Sequence, residues 1–181
     1  MNKSVKRTAL AIVILLLGVW LYFYIRVNSI YKEPIVEHYK SGQVAFLNDY
    51  SIKMGKSKWI SKDEAINEYK FYEEAFETED YKFIAVEVEY TNTGNEKKTF
   101  ETHYSELESG TWSNGINLEM FGILNPDESM RLTLEPGESK TLTFPFLILE
   151  RVLKHGLWDN IEKEEFKYIV SLYPVKREFE I

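Results

Sequence analysis

The chain has 181 residues, 44% hydrophobic and 15% aromatic, with a formal net charge of −7 and no cysteine. Such aromatic content excludes disorder of the whole chain, and the lack of cysteine excludes a disulfide framework, a thiolate metal site, a lipidated cysteine and a cysteine nucleophile. Residues 1–25 hold three bases and no acid, so the remainder carries 19 bases against 29 acids, a net −10 that excludes a nucleic-acid-binding surface and keeps an exported domain soluble.

The N-terminal segment is a membrane-span candidate. Ala9 to Ile25 is 17 residues without a charge, roughly 26 Å as a helix and close to the hydrocarbon thickness of a bilayer. Only a helix satisfies its own backbone in lipid without neighbours. Trp20, Tyr22 and Tyr24 gather at one end, as interfacial rings do. Lys3, Lys6 and Arg7 precede the run, whereas Arg26 and Lys32 follow it, which favours an inside N-terminus and an outside C-terminal domain. Val27-Asn28-Ser29 offers a competing signal-peptidase site. The apolar run, however, is longer than a signal peptide's and ends in bulky aromatics. The expected organisation is a cytoplasmic tail (1–7), a transmembrane signal anchor (8–25), a stem (26–42) punctuated by Pro34 and Gly42, and an extracellular domain (43–181).

Tyr50, Ile52 and Met54 alternate with Ser51 and Lys53, the period of a half-buried strand, and Gly55-Lys56-Ser57-Lys58 reads as a turn. Ser61 and Glu64 form a capping box, with Ile60 placed to staple against Ala65, ahead of a helix over 62–71. Glu73, Glu74, Glu77, Glu79 and Asp80 follow. They lack the spacing of a calcium loop and read as a solvated face. Ile84, Val86, Val88 and Tyr90 predict a strand over 82–91. Asn92-Thr93-Gly94-Asn95 supplies a turn through residues that tolerate positive φ, and Thr99-Phe100 begins the return, so 82–103 reads as a hairpin.

Gly110 and Asn114-Gly115 mark loops around Trp112. The apolar run Leu118–Leu124 stops at Asn125-Pro126-Asp127. Met130, Leu132 and Leu134 alternate up to Glu135-Pro136-Gly137-Glu138, a turn in which Pro fixes φ and Gly takes the left-handed position. Leu142, Phe144, Phe146 and Ile148 alternate beyond it, and Pro145 marks that strand as an edge or a bulge. Arg151–His155 and Trp158–Glu165 predict helical turns, and Phe166–Tyr173 a final strand. About seven strands around one core, with one or two short helices, predict a mainly β, antiparallel β-sandwich.

Val86-Glu87-Val88-Glu89-Tyr90-Thr91-Asn92-Thr93-Gly94, followed by Leu134-Glu135-Pro136-Gly137-Glu138-Ser139, resembles the immunoglobulin-like domains of bacterial surfaces. Leu124-Asn125-Pro126, Phe144-Pro145-Phe146 and Val170-Ser171-Leu172-Tyr173-Pro174-Val175-Lys176 sharpen the likeness. With them the chain resembles an uncharacterised family, a domain of unknown function, of single-pass surface proteins from low-GC Gram-positive bacteria. The resemblance implies a fold and a surface location and brings no functional residue with it.

No catalytic motif, cofactor fingerprint or metal set stands out, so catalytic, cofactor and metal residues are expected to be none. His155 and Asp159 share a spacing suited to metal ligands, but Gly156 between them weakens a helix. Trp59, Trp112, Tyr104 and Trp158 are either core fillers or a binding platform. Trp112, between two glycines in a polar stretch, is the candidate ligand contact. The leading expectation is a non-enzymatic, membrane-anchored binding module for a protein, a peptide or a cell-wall polymer, with the Pro145 strand as a candidate edge for peptide capture. An envelope hydrolase acting on wall sugars or peptides, and an accessory subunit of a membrane complex such as a transporter, are the alternatives.

Overall fold

A computed structural model of the chain describes residues 3–31, 35–72, 74–153 and 156–181. Lys32, Pro34, Glu73 and His155 lie outside the described residues, as does the side chain of Lys3. The chain divides into two units, Met1–Pro34 and Ile35–Ile181.

The first unit holds α1 (Lys3–Ile30), whose stretch Val5–Ile30 is long and apolar enough to cross a membrane. The helix outlasts the expected end at residue 25. Asn28 Nδ2 donates to the Tyr24 carbonyl at 2.9 Å and Ser29 Oγ to the Arg26 carbonyl at 2.8 Å, so polar side chains bind carbonyls near the helix end. Part of the expected stem is therefore helical.

The second unit opens with β1 (Ile35–Tyr39), which also lies within the expected stem and ahead of the expected domain start at residue 43. There follow β2 (Val44–Leu47), β3 (Tyr50–Ser61), α2 (Lys62–Asn67), β4 (Tyr81–Asn92), β5 (Lys98–Glu101), β6 (Glu106–Ser109) and β7 (Trp112–Gly115). Then come α3 (Leu118–Leu124), β8 (Arg131–Leu134), β9 (Ser139–Leu149), β10 (Lys167–Ser171) and β11 (Val175–Glu180). Short 3₁₀ turns occupy Glu74–Phe76, Glu150–Val152 and Trp158–Lys163.

One sheet has the order β1-β11-β10-β6-β7 and a second the order β2-β3-β4-β9; β5 and β8 form a separate ribbon. The β-sandwich expected from the alternating strands is present. Its pairing departs from the expectation in two places. β1 runs parallel to β11, Ile35 opposite Val175, so the sandwich is not wholly antiparallel. β5 pairs with β8 rather than returning along β4, so 82–103 is not a hairpin.

The expected turn at Gly55 is a bulge inside one long strand. Met54 faces Val88 and Ser57 faces Val86, leaving Gly55 and Lys56 opposite Glu87 alone. An inserted residue reverses the faces of the strand beyond it. Ile52 and Met54 accordingly join the core between the sheets, whereas Ile60, past the bulge, joins a second cluster.

The main core lies between the sheets, with Val86, Val88, Phe144, Phe146, Tyr168 and Phe179 at its centre. The second cluster, absent from the one-core expectation, gathers Ile60, Ala65, Phe71, Phe83, Met120 and Leu147. It exists because β4 is apolar on both faces over Phe83–Val86: Ile84 and Val86 turn to one cluster and Phe83 and Ala85 to the other. α2 and α3 contribute Ala65 and Met120 to it. Ser61 caps α2 as expected, its Oγ accepting from Glu64 N at 3.2 Å. The Glu64 carboxylate pairs with Lys58 at 2.7 Å, and α2 stops at Asn67, short of the expected residue 71. The apolar run 118–124 is a helix because Asn117 Oδ1 accepts from Met120 N at 2.9 Å.

A polar link crosses the main core. Ser105 Oγ lies 2.8 Å from the Tyr168 hydroxyl, which lies 3.2 Å from that of Tyr90. Burial pushes the Tyr168 phenol up to about 12, and burial and then Tyr168 push Tyr90 well above the ordinary value. Each hydroxyl is thus neutral and hydrogen-bonded, as buried polar groups must be.

The Pro145 strand is an edge, as expected: β9 closes its sheet. The edge is nevertheless occupied. Asn117 N donates to the Pro145 carbonyl at 2.9 Å, and Asn114 Nδ2 to the Leu147 carbonyl at 2.7 Å. Asn125 supplies both a donor and an acceptor to Thr143. Peptide capture by strand addition along Thr143–Leu147 is therefore blocked by the chain itself.

Candidate ligand-binding cleft

The β6–β7 hairpin turns at Gly110, whose φ of +58° is a conformation glycine adopts without strain. The turn sets Trp112 opposite Ser109 as the first residue of β7. Trp112 is therefore on a strand, not in the expected polar loop, and it is half-buried. Its ring stands edge-on to Phe166, 6.2 Å between centroids and 90° between planes. Phe166 in turn meets Trp59 at 5.6 Å and 76°. Phe166 is 4% exposed and fixes Trp112 from the core side.

Trp112 lines a cleft of about 360 Å³ together with Val152, Leu153, Leu157, Ile161 and Phe166 and, on its polar side, Ser109, Gly110, Thr111 and Glu164. Three separate stretches of chain meet there: the β6–β7 turn, the segments around the last two 3₁₀ turns, and the start of β10. The size, and an apolar wall with a few polar groups beside it, are those of a pocket for a small ligand or a few side chains.

A polar cleft of about 610 Å³ shares Ser109, Gly110 and Glu164 with it and adds Glu108, Lys163, Glu165, Lys167 and Lys176. Lys176 Nζ lies 2.5 Å from Glu108 Oε2 and 3.4 Å from Glu178 Oε2. The Glu108 carboxylate holds the Lys176 ammonium above its usual range. Glu178, 3% exposed, also meets Lys167 at 2.5 Å and His38 Nδ1 at 2.7 Å. Burial alone would raise the Glu178 carboxyl, but Lys167 and Lys176 outweigh it and hold the group below its ordinary value. These charges are matched on the protein itself, so the polar cleft offers hydrogen bonds rather than one dominant charge.

The other sequence candidates do not converge on this cleft. Trp158 Nε1 donates to Asp80 Oδ2 at 3.2 Å, and the Lys82 ammonium sits 5.4 Å from the Trp158 ring centroid. Tyr104 precedes β6, whereas Trp112 pairs with the last residue of that strand. In the acidic run, Glu79 pairs with Arg151 at 3.2 Å. Among the described residues no group of three or more His, Asp or Glu is placed to hold a metal. Sequence reasoning reached Trp112 but missed Leu153, Leu157, Ile161 and Phe166. Their local patterns read only as turns and strand starts, and the cleft exists only once β10, β6 and β7 pair.

No curated protein matches the chain. Among solved structures, an uncharacterized beta-sandwich protein from Clostridium difficile 630 superposes with a TM-score of 0.51 at 11% identity, covering 83% of this chain and 97% of that one. A conserved hypothetical protein from Bacillus anthracis gives 0.52 at 14% identity, covering 77% and 94%. Both share the sandwich fold. A family model described as "Domain of unknown function (DUF5028)" matches residues 37–177, which bears out the family implied by the turn motifs, and this chain belongs to that family.

Proposed function

We propose that the chain is a non-enzymatic binding module, held at a membrane by α1, whose ligand site is the Trp112 cleft. The observation that carries this reading is the cleft itself: a half-buried tryptophan, braced by Phe166, in a recess with an apolar wall that adjoins a polar cleft of both charges. Rigid aromatic anchors over a desolvated recess are what binding sites use. The ligand that suits it is a peptide or protein segment carrying a branched aliphatic or aromatic side chain with polar groups beside it. Lys6 and Arg7 ahead of the apolar run favour an N-terminus inside and a sandwich outside, with residues 8–25 in the bilayer.

The test is photo-cross-linking in intact cells with the full chain, using a benzophenone amino acid at position 112 and, as control, at the exposed Thr141 of β9. A discrete, protease-sensitive adduct from position 112, absent from position 141, is expected. Equal yields at the two positions, or binding of that partner unchanged by Trp112→Ala, overturns the reading.

A further inference from the structure

We infer that the end of the sandwich at which β1 begins rests in the interfacial layer of a lipid bilayer. Strand pairing brings three segments to this end. Ile35 opens β1 and lies opposite Val175, the first residue of β11. The connection from β10 to β11 carries Leu172 and Tyr173. Glu106 opens β6 opposite Ile169 of β10, and Tyr104 precedes it. Ile35, Tyr104, Leu172 and Tyr173 are 67%, 71%, 50% and 78% exposed. Strand pairing thus gathers four large, exposed apolar or aromatic residues at one end of a sheet, the kind of surface that marks an interaction site.

The occupant follows from connectivity. Ile35 stands four positions after Tyr31, the residue that follows α1, a span of roughly 14 Å at full extension. The inference rests on the reading of α1 as a membrane helix, because the bilayer surface is then within reach of this end. Tyrosines are suited to that surface: the ring enters the headgroup region and the hydroxyl stays hydrated. With a net charge of −10 on residues 26–181, attraction to anionic headgroups is not the driving force. Burial of the four side chains is, so the contact should persist at high ionic strength.

The cysteine-free chain permits a direct test. The full-length protein is reconstituted into phosphatidylcholine vesicles with an NBD fluorophore on one introduced cysteine: Leu16→Cys in α1, Tyr104→Cys or Tyr173→Cys at the proposed interface, or Glu165→Cys ahead of β10 at its opposite end. Vesicles with nitroxide on the lipid headgroup region report proximity. The expected result is loss of most of the fluorescence at 104 and 173, little loss at 165, and no change in high salt. Leu172→Glu should diminish the quenching at 104. Quenching of a Leu16→Cys probe by nitroxide deep in the acyl chains, with 104 and 173 quenched no more than 165, overturns this inference and leaves the anchor standing. A Leu16→Cys probe unquenched by lipid nitroxides removes the anchor and this inference together.

Discussion

Asn125 and Thr143 exchange two hydrogen bonds along the outer edge of β9: Asn125 Nδ2 donates to the Thr143 carbonyl, and Thr143 N donates to Asn125 Oδ1, each at 2.7 Å. A side-chain amide here stands in for a neighbouring strand. Asn125 is 7% exposed, so the groups it satisfies have little water to turn to.

Asn125→Ala should therefore destabilise the sandwich by about 2–3 kcal/mol, because it strands a backbone donor and a backbone acceptor. Urea unfolding of the full chain in detergent micelles, followed by tryptophan fluorescence, measures it. A midpoint equal to that of the unsubstituted protein would show that the edge does not need its side-chain partner.

Glu178 gives the fold an acid limit. Its folded carboxyl is held below the ordinary value of 4.5, so the fold favours the ionised form. That stabilisation is complete above the unfolded value and is lost as pH falls through the folded one. Glu178→Gln should lower stability at neutral pH by about 1–3 kcal/mol, since Lys167 and Lys176 lose a charged partner. It should also flatten the decline in stability below pH 4.5. Parallel pH profiles for the two proteins would sink the assignment.

Two glycines make opposite demands. Gly137, in the Glu135–Glu138 turn, has φ of +78° and open space where a Cβ would lie. Gly94 lacks a left-handed φ, but a Cβ there would stand 3.2 Å from both Asn92 Oδ1 and the Asp49 Cβ. Gly137→Ala should cost about 1–2 kcal/mol, with part of that recovered in Gly137→Asn, because asparagine tolerates the left-handed region. Gly94→Asn should be worse than Gly94→Ala, because crowding grows with the side chain. Thermal melts of the four variants decide it, and the same order of residues at both sites would refute the distinction.

The two turns also show what a sequence discloses. Glu135-Pro136-Gly137-Glu138 was legible because the dihedral requirement is local and belongs to the residues themselves. Asn92-Thr93-Gly94-Asn95 was legible as a turn but not in its cause. Gly94 is small because Asp49, from the β2–β3 turn, comes close, and no local pattern records that approach. The same holds for the sheets. Alternation in Ile84–Tyr90 and Leu142–Ile148 revealed strands and inward faces. It carries no register and no partner, so neither the pairing of β5 with β8 nor that of β1 with β11 can be read from it. Trp112 drew notice through its flanking glycines, whereas Phe166, which braces it, looked like any strand residue.

The parallel pairing of β1 with β11 has a consequence for how the protein comes to be folded. β1 is made first among the strands, yet its partner arrives roughly 140 positions later, and contacts this distant in sequence are slow to form because the intervening loop must first be closed. β11 also stands between β1 and β10. Until it is in place, β1 has no partner in its sheet, and β10 lacks a neighbour on that side. β6, β7, β10 and β11 can join this sheet in the order of their synthesis, but β1 waits for β11, so the edge of the second unit that β1 covers is the last to close.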